Sequence, residues 1–349
     1  MTVTEQPGAN PGQLGCATRS QALVPQLCWQ GDQSLLASLL ELERQSPLLQ
    51  AADLGERVRQ RLAAQPATPL SPWIYLIYYR IGQAVLSGER QSSGLDELLE
   101  WMATELPLPP EPDGVLSFQH PSRPAWQWRH LLELFQEGGD FVADLTGVES
   151  AVAARWRMEI GAVRSLIAAV DPPLHQCMRR LQQLGVLSRP LGSAVSFGGA
   201  TSFFFRGGSL INCSASLKPA RLIERLVHEY AHSELFVIGQ DSRLCHNEDS
   251  ERHRVLIRQD PRPMHGIIHS LYVTGRCAEL FRRMQNGGLD GTSAAEGLQE
   301  DIKPMLERLT TLGRSSLAAV QGHARLTDRG AEVVAVSLER LDLKRPDGR

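Results

Sequence analysis

The chain has 349 residues, 42% of them hydrophobic and 21% charged, with a formal net charge of −3. That length corresponds to about two domains or one large one, with enough apolar material for a core that needs no disulfides or structural metal. The composition excludes a disordered chain and a broadly basic nucleic-acid binder, and no stretch approaches the ~18 uncharged apolar residues of a membrane span.

The N-terminal MTVTEQPGANPGQLG has neither the basic start nor the apolar run of a secretory signal. The six cysteines, Cys16, Cys28, Cys177, Cys213, Cys245 and Cys277, form no CxxC pair. They read as reduced thiols in a cytoplasmic protein. Only three of the 36 basic residues are lysine. Arginine therefore does the ordinary surface work in this chain, and an arginine near a candidate site carries little weight by itself.

Residues 1–20 are rich in Gly, Pro, Gln and Thr and are expected to be disordered. Residues 21–190 read as a helical region. Leu35, Leu36, Leu39 and Leu40, then Leu54, Val58 and Leu62, then Ile74, Ile77, Tyr78, Ile81 and Val85 recur at helical spacing. Six prolines between Pro107 and Pro124 predict a linker or long surface loop. A second helical block is expected from about Ala125 to Leu187, interrupted at Pro172 and Pro173. The segment from Ala194 to Leu217 sets Gly pairs between short Phe, Val and Ile runs and predicts two or three short strands. Thr201–Arg206 or Ser209–Ser214 would offer an edge to an extended peptide, although Phe203, Phe204 and Phe205 also suit a plain core sheet.

Helices resume at Pro219, which suits a first helical turn, and Leu222, Ile223, Leu226 and Val227 supply the buried stripe. A polar loop from Asp241 to Arg254 and a helix from about Met264 to Met284 follow. Two or three further helices follow the break at Gly287, Gly288 and Gly291. The expected fold is mainly α with a small antiparallel β-sheet (α+β). The expected division is a helical region at residues 21–190, open to a peptide- or leader-binding role, and a second domain at residues 191–349 that would carry the chemistry.

The strongest local signal is His228-Glu229-Tyr230-Ala231-His232. Histidines at i and i+4 share one helix face, so their imidazoles can converge on one metal, with Glu229 beside them to handle a proton. The plainer reading is a pair of exposed surface histidines. A catalytic zinc takes three protein ligands and keeps one position open; a non-haem iron keeps positions for co-substrate and oxygen. Leu235 and Ile238 stand where the metzincin continuation needs Gly and His. A gluzincin would draw its third ligand from Glu248, Glu251 or Glu279. The other candidates are His246, His253, His265 and His269, each of which also suits a surface or capping role. His269, Tyr272 and Arg276 share a face of the next helix, which could present a histidine to the metal and an arginine beside it. Tyr230 and Tyr272 read as packing residues.

The segments LVHEYAHSELF, RQDPRPMHGIIHSLYVTGRCAELFRRM and LTDRGAEVV resemble the bacterial HExxH-motif peptide-modification proteins. The match runs through Arg258, Asp260, Pro261, Arg262, Pro263, His269, Ala278, Glu279, Leu280, Arg282, Leu326, Thr327 and Gly330. Ser270 and Phe281 depart from the pattern, which commonly has glycine and tyrosine there. The resemblance covers about residues 194 to 345, and the first ~190 residues match only in being helical. It implies an iron(II)- and 2-oxoglutarate-dependent oxygenase, using O2, that hydroxylates a side-chain β-carbon of a ribosomally synthesised precursor peptide. No nucleic-acid or membrane partner is expected.

Under that reading iron is held by His228, His232 and His269, leaving positions for the keto-acid and oxygen. The keto-acid's distal carboxylate calls for a guanidinium fork, with Arg262, Arg258 and Arg276 as candidates. Each also suits an ordinary ion pair, and Arg262 is favoured by its Pro-flanked segment. Glu229 would then orient a water, a ligand histidine or the peptide. The alternative is a zinc metallopeptidase with Glu229 as general base and Glu279 or Glu251 as third ligand.

Overall fold

The strand Leu184–Pro190 runs through the middle of the molecule with its first five residues buried on both faces. The computed structural model describes residues 17–45, 47–65, 68–87, 93–108, 114–137, 144–192, 197–240, 242–256, 258–289 and 295–343. In chain order the elements are α1 (Ala17–Gln45), α2 (Pro47–Ala52), α3 (Leu54–Ala64), α4 (Pro72–Leu86), α5 (Ser93–Glu105) and β1 (Val115–Ser117). Then come α6 (Ala125–Gln136), β2 (Leu145–Thr146), α7 (Ser150–Val170), α8 (Pro172–Leu181), β3 (Leu184–Pro190), β4 (Gly199–Thr201) and β5 (Gly208–Asn212). The chain continues with α9 (Pro219–Ile238), β6 (Arg252–Val255), β7 (Arg258–Pro263), α10 (Met264–Arg283), α11 (Ala295–His323) and α12 (Asp328–Leu341).

The fold is α+β and mainly helical, with two small sheets. The larger is mixed rather than antiparallel throughout. Its strands run β1-β3-β5-β4, with β3 parallel to both β1 and β5 and with β4 antiparallel to β5; β2 pairs antiparallel with the end of β3. The smaller is the antiparallel hairpin β6–β7. Several elements differ from expectation: the buried strand β1 falls in the segment expected as a linker or long surface loop, β2 falls in the expected second helical block, and Phe203–Phe205 forms a 3-10 turn rather than part of a strand. Leu184–Leu187 was read as the end of a helical block, but a short apolar run fits a doubly buried parallel strand equally well. Part of the segment read as a polar loop is β6, whose charged residues sit on an exposed strand.

The sheet separates two hydrophobic cores. In register, Val186 pairs with Leu210 and Leu187 with Ile211, so alternate residues face opposite sides. Leu184, Val186 and Leu210 join a core built by α1, α3, α4, α5 and α6, where Trp73 meets Trp128 edge to face and Trp101 at a tilt of 46°. Leu187 and Ile211 join a second core built by α7 to α12. Thus α7 and α8, assigned by sequence to the N-terminal region, pack with the HExxH helix, and the two cores meet at the sheet rather than at residue 190. Pro172 and Pro173 begin a helix as well as ending one: Asp171 caps α8 by accepting the Leu174 N–H at 3.0 Å. The described cysteines are buried free thiols, and burial pushes Cys28 and Cys213 up to about 12. Residues 1–16, including Cys16, lie outside the described residues. Among the described residues no helix is long and apolar enough to cross a membrane.

Candidate metal centre

Helix α9 begins with Pro219 at its first turn and buries Leu222, Ile223, Leu226, Val227, Tyr230, Ala231 and Leu235. What that stripe leaves partly exposed includes His228, His232 and Phe236, one turn apart. Packing thus aims both motif histidines out of the core. Helix α10 packs against α9, where the Cys277 Sγ meets the Glu224 carbonyl at 3.7 Å and the His269 ring meets His232. Eight residues separate each pair of contact points, in opposite chain directions, so the two helices are antiparallel.

The Nε2 atoms of His228 and His232 stand 3.3 Å apart. Two nitrogens each ~2.1 Å from a common ion stand between about 3.0 Å (octahedral) and about 3.4 Å (tetrahedral) from each other. The pair is therefore spaced as a two-pronged clamp. His269 lies alongside, its ring centroid 5.9 Å from that of His232 and the planes 28° apart. Desolvation, with His232 and His265 nearby, pushes the His269 imidazole down, so it is neutral with a lone pair available. Among the described residues no three His, Cys, Asp or Glu side chains form a ready-made cation cage. His269 is thus a ring beside the clamp and does not complete a three-ligand site, and imidazole donors suit a metal that takes nitrogen ligands.

Glu229 is 3% exposed, and burial raises it to about 7 against the hydrogen bond from Thr201 and the charge of Arg225. The Thr201 hydroxyl donates to Glu229 Oε2, and a Cβ on Gly199 would collide with Oε1. Both residues belong to β4, the last strand of the larger sheet, so the motif glutamate is seated against a strand edge beside the two histidines. Phe205 is buried in the core, whereas Phe203 is 41% exposed and meets Phe236 edge to face at 6.0 Å. A cleft of about 280 Å³ opens here, lined by Phe203, Phe236, Arg243, Asp249, His265 and His269.

Of the other expected residues, His265 shares this cleft, and most of the rest are engaged with partners of their own. Glu279 is ten residues beyond His269 on α10, about 15 Å along the axis. It bonds Arg276 and Arg283 at 2.9 Å each and Arg340 at 3.1 Å. Arg276 is buried and forks onto Glu234, donating from Nε at 3.0 Å, while Tyr230 donates to the same carboxylate. Burial alone would push Glu234 up; Arg276 and Arg340 hold it down at about 2. Tyr230 and Tyr272 are buried in this cluster beneath Arg276 and Arg340. Arg262 pairs with Asp260 at 2.9 Å on the β6–β7 hairpin. The Arg258 side chain lies outside the described residues. Glu251 binds Asn247 and Arg325, and Glu248 and His246 are exposed. His265 pairs with Asp249 at 3.2 Å, and His253 stacks on His323 at 4.5 Å.

Sequence reasoning missed Arg243, Phe203 and Phe236 as cleft residues. Phe236 was findable, since it extends the His228–His232 row by one more turn. Arg243 sits in a loop with no period to mark it. No protein-family model matches the chain, and no curated protein is significantly similar to it.

Proposed function

We propose that this protein is an iron(II)- and 2-oxoglutarate-dependent oxygenase that hydroxylates a side-chain β-carbon of a ribosomally synthesised precursor peptide. The observation that carries the metal assignment is the 3.3 Å clamp of His228 and His232 with the neutral His269 beside it. Iron in that set would reduce dioxygen as 2-oxoglutarate is decarboxylated, one oxygen atom ending in succinate and the other in the peptide hydroxyl. The oxidative chemistry and the peptide substrate rest on the resemblance of residues 194–345 to the HExxH peptide-modification proteins.

The chain's own groups divide the remaining work. Arg243 lines the cleft beside His269 and is positioned to take a distal carboxylate there. Arg276 is committed to Glu234 and Glu279 and is assigned to structure. The edge of β4, fixed to Glu229 through Thr201, would take an extended peptide as an added strand. Phe203 and Phe236 keep water from one wall of the cleft. The zinc-peptidase reading draws support from Glu229, whose value of about 7 suits a general base, but it gains no third ligand from Glu279.

The test is succinate release. Protein purified without oxygen is given iron(II) and 2-oxoglutarate, then air. Succinate that depends on iron and is lost in His228→Ala supports the oxygenase. Tightly held zinc, no succinate and cleavage of peptides that is lost in Glu229→Gln would replace it with the peptidase.

A further inference from the structure

A second cleft is lined by none of His228, His232 and His269. It has a volume of about 820 Å³ and runs between β6 and α11. Arg252, His253 and Arg254 form one wall; Arg314 and His323 stand on the other, and no acidic residue lines it. Arg252, Arg254 and Arg314 are all exposed, and none has an acidic partner among the described residues. By contrast, Arg80, Arg123, Arg276, Arg283, Arg325 and Arg340 each hold a carboxylate; what sets the groove apart is that three exposed arginines share one cleft that no acidic residue lines. The Nε2 atom of His253 is buried in the groove wall without a hydrogen-bond partner. Leu256, 72% exposed, and Ala318 add an apolar rim.

The shape of this groove suits an extended chain. Strand β6 pairs with β7 alone, so its other edge has no strand beside it among the described residues. A register shift between His253 and Val255 marks a bulge in β6 at Arg254. One continuous segment lines both openings: Arg243 to Asp249 borders the cleft at His269, and Arg252 to Leu256 borders the basic groove. An extended polymer lying along that segment would reach from one opening to the other. No Phe, Tyr or Trp lines the groove, so it lacks the stacking platforms of a single-strand nucleic-acid site.

We propose that the groove between β6 and α11 docks an acidic, extended peptide segment. Its carboxylates would pair with Arg252, Arg254 and Arg314, and an apolar residue would lie against Leu256. The identity of that peptide as part of the substrate rests on the oxygenase reading above; the binding itself does not.

The test is fluorescence anisotropy on the full chain, without 2-oxoglutarate. The probe is a fluorescein-labelled peptide of about ten residues in which Glu alternates with Val, the spacing of a strand. The peptide is expected to bind, and its Gln-for-Glu version to bind about tenfold more weakly or worse. Arg254→Glu with Arg314→Glu, both at exposed positions, should cost at least about tenfold in affinity. Arg129→Glu, exposed on α6, should change nothing. Failure of the Glu peptide to bind, or equal binding by the double variant, overturns the proposal. So does an oligo-dT of the same length that binds more tightly than the peptide and is lost in the double variant. Because no turnover is read, failure here leaves the succinate test standing, and an absence of succinate leaves this result standing.

Discussion

Thr201, on the edge strand β4, donates its hydroxyl to the buried carboxyl of Glu229 on the HExxH helix. A hydrogen bond to a buried ionisable group is worth about 1.5–3 kcal/mol, and its loss leaves a desolvated oxygen unsatisfied. Thr201→Val should therefore lower stability to urea by about 2 kcal/mol. Thr201→Ser should restore most of it. Metal content should be unchanged in both, because neither residue supplies a metal ligand. If the valine variant unfolds at the wild-type urea midpoint, the bond contributes nothing and β4 is held by its pairing with β5 alone.

The ligand assignment separates two residues on one helix. His269 faces the clamp, and Glu279 is enclosed by three arginines about 15 Å further along. His269→Ala should leave two of three ligands and drop bound iron to a small fraction of one equivalent after gel filtration. Glu279→Gln should keep its iron while losing stability. The opposite pattern, with metal lost in Glu279→Gln and kept in His269→Ala, would make the centre a gluzincin-type site.

The parts legible in the sequence were those with a period. The stripe from Leu222 to Leu235 and the row of His228 and His232 follow from a helix with one buried face, and the structure places them so. His269 beside the clamp was readable as a candidate because α10 repeats the same spacing. Strand β3 was not legible, since Leu184–Leu187 is too short to show whether its period is two or 3.6. Nor were the arginine partners. Arg276 turns to Glu234 and Arg262 to Asp260. Arg262 meets an acidic residue two places away on its own strand, but the Arg276–Glu234 pair depends on how α9 and α10 dock, which chain position does not state. The division at residue 190 failed to show as a gap between cores for a related reason: a sheet buried on both faces joins the elements packed on each side.

Arg276 provides a sharper test of structure against cofactor binding. Its guanidinium bonds the buried Glu234 by two nitrogens and Glu279 by the third. Removing one partner of a buried ion pair leaves an uncompensated charge and costs about 3–5 kcal/mol. Arg276→Met should lose that much in urea unfolding. Arg276→Lys should recover little of it, because an ammonium cannot reproduce the fork. Whatever folded protein remains should bind 2-oxoglutarate normally. A variant of wild-type stability with a raised KM for the keto-acid would instead return Arg276 to the cofactor site.

Asp32 on α1 carries a pH dependence remote from the histidines. It is 5% exposed, and burial raises it to about 6, against the opposing influence of the Tyr75 hydroxyl and Arg206. Unfolded, it would titrate near its ordinary value of 3.8. Between those two values the folded chain holds a proton that the unfolded chain has released. The associated stability is fully present below pH ~3.8 and is lost as pH rises through about 6. The shift corresponds to about 3 kcal/mol of destabilisation once Asp32 is ionised in the folded protein. Asp32→Asn keeps an acceptor for Tyr75 and carries no charge. It should therefore be more stable than wild type by up to about 3 kcal/mol at pH 8 and equal to it near pH 3.5, as read from urea midpoints. A variant less stable than wild type at pH 8 would mean that the Asp32 charge is needed by Arg206, and that the ion pair outweighs the burial of the carboxylate.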